Sequence, residues 1–286
     1  MAGLITREYV NTFIKERPRE THKGQCGRVL IIAGSYGMAG AAVLAARGAL
    51  KSGAGLVKIA APDELFHILQ TAVPQATCMS ISQGFDRRSL EDYGAIAIGP
   101  GIGVDEKNYL LIEDILNNYD GPVVIDADAI TCLCRYGKRT QVIKDSSCSV
   151  VMTPHPGEGN RLLESLGAAD IKTLGREAAA EYISEMTGAT VLLKGADTVV
   201  TCHERGTYIN TTGNPGMATG GSGDVLTGVI AAIAASGIDA FEAAKTGAYI
   251  HGLAGDIAAD NIGQWGMTAV DIEEALPAAL KQIVGK

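Results

Sequence analysis

The sequence predicts an α/β layered fold on a mostly parallel sheet. Three observations carry this. Short β-branched runs alternate with Ala- and Leu-rich helical patterns along the chain. Several of those runs are continuously apolar, as befits strands buried on both faces. Glycine-rich loops follow one strand candidate after another, on the edge where such sheets bind ligands. Strand–helix alternation implies right-handed crossovers and helices on both faces.

The elements follow in order. The opening "MAGLITREYVNTFIKERPRE" is charged throughout and lacks the apolar core of a signal peptide, so residues 1–21 or so read as a short N-terminal arm. "RVLIIA" (28–33) is a strand, followed by "AGSYGMAG" and a helix over 39–52. Strands follow at "LVKIA" (56–60) and "AIAIG" (95–99), the latter leading into "GPGIG" and a helix over 105–118. "PVVID" (122–126) runs into "DADAI", and "CSVVMT" (148–153) into "TPHPGEGN", with helices over 157–166 and 172–187. "TVLLK" (190–194) ends in "KGADT". "TVVTCHERGTYIN" reads as a hairpin with Gly206 in its turn. Helices close the chain over 224–236, 240–260 and 270–284. No repeat or low-complexity linker divides the 286 residues, so they read as one domain. Five strand ends with unusual loops point to a shared cleft.

Composition narrows the partners. A net charge of −8, a pI near 5.2 and the lack of a Lys/Arg-rich block argue against nucleic-acid and membrane-surface binding. The longest nearly apolar run, around 225–238, is too short for a membrane span. The six cysteines form no CxxC pair and no zinc-like cluster; they read as reduced packing residues of a cytoplasmic protein.

Standard phosphate motifs are missing. No GxxxxGK[ST] occurs, and "GPGIG" and "GSYGMAG" both miss the GxGxxG spacing. "NTTGNPGMATGGSGDVLTG" (210–228) offers another device. Gly220, Gly221 and Gly223 precede or open an apolar helix that begins near Asp224. Free N–H groups and the positive end of the helix dipole bind anions there, and glycines allow close approach. Asp224 then stands where a base would take the proton of an attacking hydroxyl. The alternative is a plain helix start, capped by Ser222 or Asp224, with the glycines as turn residues.

"GSYGMAGAA", "TPHPGE", "KGADT" and "GGSGD", in that order, resemble the ADP/ATP-dependent NAD(P)H-hydrate dehydratases of the ribokinase-like superfamily, from about His22 to about Leu276. The resemblance implies a three-layer sandwich and the repair of the S-epimer of hydrated NADH or NADPH. A nucleotide phosphoryl group would be placed on the 6-hydroxyl and then eliminated as phosphate. It also implies residue roles. Asp224 would contact the hydrated ring and act as base, and Gly223 would contact the phosphate end of the nucleotide, with Gly220, Gly221 and Ser222 completing that helix start. Lys194, Gly195, Ala196, Asp197 and Thr198 would line the nucleotide site. Ala41, His155 and either Gly101 or Gly103 would line the hydrate site. Glu158 would reach Mg²⁺ through water, or else cap the helix that starts there. Lys194 reads as an anion contact or as a strand-end charge reaching solvent, and His155 as a substrate contact or a structural hydrogen-bonding group. His251 and Asp256 lie among small residues and read as helix-packing positions.

Some members of the family carry a fused epimerase domain. The stretch before His22 is too short for one, so a separate epimerase and a stand-alone dehydratase, assembled as a homo-oligomer such as a tetramer, are expected. Two rivals remain: a vitamin-precursor kinase of the same fold, and a non-catalytic nucleotide sensor. The intact Asp224 opposes the sensor, and "TPHPGE" with "GSYGMAGAA" favours the dehydratase over the kinase.

Overall fold

A computed structural model of the chain describes residues 2–82, 90–137 and 140–285. Ten strands form one sheet: β1 (Gly3–Leu4), β2 (Arg28–Ile32), β3 (Leu56–Ala61), β4 (Thr77–Ser80), β5 (Ala95–Ile98), β6 (Pro122–Ile125), β7 (Ser149–Met152), β8 (Thr190–Leu193), β9 (Thr198–Cys202) and β10 (Gly206–Asn210). Their order is β1-β10-β9-β8-β7-β6-β5-β2-β3-β4. The run from β8 to β4 is parallel throughout. β9 lies antiparallel to both β8 and β10, as the hairpin reading requires.

Alternation within the buried strands divides the core. Val29, Ile31, Val57, Ile59, Val124 and Val151 point into one cluster, while Leu30, Ile32, Ile96, Ile98, Val123 and Ile125 point into the other. On the second face lie α4 (Glu106–Asn118), α5 (Asp128–Tyr136), α6 (Gln141–Asp145), α7 (Pro156–Ser165) and α9 (Arg176–Thr187). On the first lie α2 (Ala39–Lys51), α3 (Phe66–Ala72), α10 (Ser222–Ala235), α11 (Ala240–Ile262) and α12 (Ala269–Val284). The result is the three-layer sandwich that was expected.

Several boundaries differ from the sequence reading. The helix expected over 172–187 is two pieces, α8 (Ile171–Leu174) and α9, separated at Gly175 with φ +85°. α10 begins at Ser222, two residues before the position expected near Asp224, because Gly221 at φ +91° takes the capping position. Neither Ser222 nor Asp224 is therefore the cap. Residues 1–21 hold more than the sequence reading assigned: β1 pairs in parallel with β10, and α1 (Arg7–Phe13) buries Val10 completely.

Tyr9 of α1 also closes a cage around the buried Lys245 ammonium. That Nζ lies 4.5, 4.0 and 4.2 Å from the ring centres of Tyr9, Tyr208 and Phe241, and 3.1 Å from Glu242 Oε2. Three ring faces and one carboxylate replace the water that the ammonium gives up. Elsewhere, α2 and α10 touch backbone to backbone. A Cβ on Gly228 would lie 2.0 Å from Ala45 O, and one on Gly48 2.5 Å from Val225 O, so only glycine fits at either crossing. No helix among the described residues is long and apolar enough to cross a membrane, and all six cysteines are free thiols.

Candidate active site

The parallel strands deliver their loops to one edge, where a cavity of about 750 Å³ opens between β6–β8, the chain after β10 and the start of α10. The reason for glycine at 221 is local: a Cβ there would stand 2.3 Å from Leu44 Cδ1. The helix's first backbone bond runs from Val225 N to Gly221 O, 3.1 Å. The amides of Gly223 and Asp224 therefore lie at the open, positive end of the helix. Ser222, Gly223 and Asp224 all line the cavity.

A charged pair stands beside that helix start. Lys194 Nζ donates to Asp126 Oδ1 at 2.7 Å, and Thr227 Oγ1 donates to Asp126 Oδ2 at 2.8 Å. Asp126 is 1% exposed. Gly223 makes room for the pair, since its Cβ would lie 3.1 Å from Lys194 Nζ. Burial works against the lysine charge, but Asp126 and Glu158 outweigh it and hold the pKa above its ordinary value. Burial, and next the Asp126 charge, push the Asp224 carboxyl up to about 7, with Lys194 opposing. A carboxyl poised there exchanges a proton near neutrality.

The "KGADT" residues, 194–198, all line the cavity. Gly195 has φ +138° and Asp197 φ +52°, two left-handed positions in five residues. Thr198 Oγ1 donates to Gly195 O at 2.8 Å. The lysine reading changes in one respect. Its ammonium is held by Asp126 at the cavity wall rather than extended into bulk solvent, leaving its other N–H groups facing the cavity.

His155 and Glu158 also line the cavity, and they serve the local fold as well. His155 caps α7, accepting at Nδ1 from Gly157 N at 2.9 Å, while its own N–H donates to Glu158 Oε2 at 2.8 Å. The capping alternative for Glu158 is thus realised. Burial raises the Glu158 pKa against the pull of Lys194. Among the described residues no three His, Cys, Asp or Glu side chains are placed to hold a metal ion. A divalent cation here has no protein cage; Glu158 is a single carboxylate that fits contact through the ion's water.

Ala41, Gly101 and Gly103 are not among the residues lining this cavity, nor are Gly220 and Gly221. Ala41 and the "GPGIG" loop lie where the strand order reverses between β2 and β5. Gly34 N donates to Pro100 O at 2.8 Å, and Ser35 Oγ to Gly101 O at 2.8 Å. A Cβ on Gly101 would stand 3.0 Å from that of Ala41, so these two residues are neighbours. Gly103 N donates to Asp128 Oδ2 at 2.9 Å, and the Asp128 charge acts on Asp224.

Asp126 and Thr227 escaped the sequence reading, and His251, read as a packing position and indeed buried, also faces the cavity. Asp126 had a signal, an acidic residue at the end of a buried strand. His251 is 7% exposed, lines the cavity, and its Nε2 has no hydrogen-bond partner. Asp256 instead holds the cavity wall, accepting from Gly213 N at 2.9 Å and Asn214 Nδ2 at 3.0 Å. Burial pushes the His251 pKa down to about 4 from 6.5. The depressed value means the unfolded chain takes up the proton first, so stability present above pH 6.5 is lost as pH falls towards 4. The loss should approach about 3 kcal/mol. Denaturant melts across that window should show a smaller acid loss in His251→Gln; an unchanged profile would dissociate His251 from it.

The fold and the cavity define a class: a ribokinase-like protein with a cavity at the start of α10, lined there by Ser222, Gly223 and Asp224. Ribokinase of Thermotoga maritima shares the fold at a TM-score of 0.59, with 13% identity over 89% of this chain and 99% of that one. A family model described as NAD(P)H-hydrate dehydratase matches residues 29–278, and the chain belongs to that family. It is 35% identical to an ADP-dependent (S)-NAD(P)H-hydrate dehydratase of Neisseria meningitidis, over 92% of this chain and 90% of that protein. It is 41% identical to a bifunctional NAD(P)H-hydrate repair enzyme of Moorella thermoacetica, over 98% of this chain but 54% of that protein. The chain spans about half the length of most of the curated relatives it matches. A Bacillus subtilis ADP/ATP-dependent NAD(P)H-hydrate dehydratase, co-crystallised with ATP and Mg²⁺, superposes with a TM-score of 0.86 at 30% identity, each chain being 99% covered.

Proposed function

We propose that the chain dehydrates the S-epimer of hydrated NADH or NADPH, with ADP or ATP as phosphoryl donor. The observation that carries this is Asp224, a carboxyl with a pKa near 7 in the first turn of α10, beside the open amides and Lys194. In this reading Lys194, the loop 195–198 and the start of α10, including Gly220 and Gly221 behind it, hold the nucleotide. Ala41, Gly101 or Gly103, and His155 hold the hydrated nicotinamide.

Asp224 takes the proton of the 6-hydroxyl as that oxygen attacks the terminal phosphorus and the phosphoanhydride bond breaks. Lys194 and the helix-start amides offset the charge on the phosphoryl oxygens. The C6–O bond then breaks with phosphate leaving, assisted by the ring nitrogen's electron pair. Loss of a C5 proton restores the dihydropyridine. Most of the rate enhancement is positioning and electrostatics. Mg²⁺ bound with the nucleotide would neutralise phosphate charge, and Glu158 is the carboxylate that fits a water-mediated contact with it.

A cytoplasmic setting, a homo-oligomer such as a tetramer, and a separate protein for epimerisation belong to the same proposal.

Purified protein with hydrated NADH and ADP or ATP should regain the near-ultraviolet dihydronicotinamide absorbance, releasing phosphate. A phosphorylated alcohol as the stable product would instead point to the kinase reading. Nucleotide at about 100 times its Kd should add roughly 2.7 kcal/mol of stability. A thermal melt unmoved by millimolar ADP-Mg or ATP-Mg would remove the nucleotide site.

A further inference from the structure

We propose that Arg176, the first residue of α9, is a positioning residue that sets nucleotide affinity by locking the Lys194–Thr198 loop. The inference rests on the nucleotide role given to that loop above. Arg176 Nη2 donates to Leu193 O at 3.0 Å and to Lys194 O at 3.3 Å. The guanidinium occupies the space that a side chain at 195 would take: a Cβ on Gly195 would lie 2.9 Å from Arg176 Nη1. Gly195 is therefore glycine for two reasons, its φ of +138° and the arginine against it.

The lock is directional. Lys194 N donates to Pro154 O at 2.8 Å, so the lysine backbone is tied on one side to the loop carrying His155 and on the other to Arg176. Its side chain is tied to Asp126. Asp197, in its left-handed conformation, exerts a favourable charge on Arg176. The positive φ of Asp197 is a minority conformer for a non-glycine residue in the free chain, and glycine at 195 adds backbone freedom, so the loop needs neighbours to hold one shape. Arg176 is not among the residues lining the cavity. It acts through the loop: a single nitrogen, Nη2, serves the two successive carbonyls, and Nη1 stands against Gly195.

The test compares wild type, Arg176→Met and Arg176→Lys. Arg176→Met should raise the Kd and KM for ADP-Mg or ATP-Mg about 10-fold, the equivalent of one hydrogen bond from a charged donor. The KM for the hydrate should stay within twofold, and Arg176→Lys should recover part of the loss. Hydrogen exchange at the amides of 194–198 in the unliganded protein should quicken in Arg176→Met, a readout that needs no nucleotide. Wild-type nucleotide affinity in a folded Arg176→Met protein would overturn the inference, as would an equal rise in both KM values. Unaltered exchange at 194–198 would do the same. Wild-type protein that binds neither nucleotide would overturn the dehydratase reading itself, and this inference with it.

Discussion

Asp224→Asn should cut turnover of hydrated NADH by about 10²–10⁴-fold, the usual contribution of a positioned general base. Asparagine nearly matches aspartate in size, and α10 does not depend on this residue for its cap, which is Gly221. A purely structural role for Asp224 therefore predicts little change. Nucleotide affinity should hold or tighten, since a like charge beside the phosphate site is removed. In the wild type the base works only when ionised, so turnover should rise with pH through about 7 and level off above it. The variant should lose that limb. Stability carries the opposite sign. A carboxyl whose folded pKa is raised stabilises the fold below its unfolded value of 3.8, and that contribution is lost as pH rises through about 7. Asp224→Asn should therefore melt higher than wild type at pH 8, the difference shrinking towards pH 4. Near-normal turnover in this variant would leave the helix start as a phosphate cradle whose base lies elsewhere.

Lys194→Met should produce two large losses at once. Removing the ammonium leaves the buried Asp126 carboxylate with Thr227 as its remaining side-chain donor. Breaking a buried pair costs about 3 kcal/mol or more; the lower end applies here because the Lys194 side chain keeps 19% exposure. Nucleotide use should fall by roughly 10- to 150-fold, the loss of one charge-assisted hydrogen bond. The two effects can be separated. Adding Asp126→Asn should restore much of the stability, because no unpaired charge then remains, without restoring nucleotide affinity. Urea melts and steady-state kinetics with each substrate varied would check this. A rise confined to the hydrate KM would place the lysine in the other half of the site.

Most of the strands and the loops after them were legible because several of those strands are continuous apolar runs leading into glycine- or proline-rich loops; β4, a short run of Thr, Cys, Met and Ser, was not. That Gly223, Asp224 and residues 194–198 share one cavity was legible in part, from glycine-rich stretches at one edge of a parallel sheet and at a helix start. What escaped notice depends on distance along the chain or on weak local signals. Lys194 finds Asp126 across 68 positions, and no local pattern announces such a pair. β1 has two residues and no period to read. His251 sits in a helix full of alanine and glycine, where a packing role and a cavity-facing role look alike. Arg176 falls inside the helix expected over 172–187, and only the fold shows it at a helix start, against the 194–198 loop.

The pairing of β1 with β10 sets an order on synthesis. The ribosome releases β1 first, and its partner emerges about 200 residues later. At 5–20 residues per second that interval is roughly 10–40 s. During it the first residues have no sheet to join, and Tyr9 has neither Lys245 nor Tyr208 to pack on. Once β10 appears, its outer edge stays unpaired until the amino-terminal segment returns to it, and an uncovered strand edge invites pairing with another chain. A bulky fusion at the amino terminus that delays this return should therefore lower soluble yield while leaving the cavity intact in the molecules that finish folding.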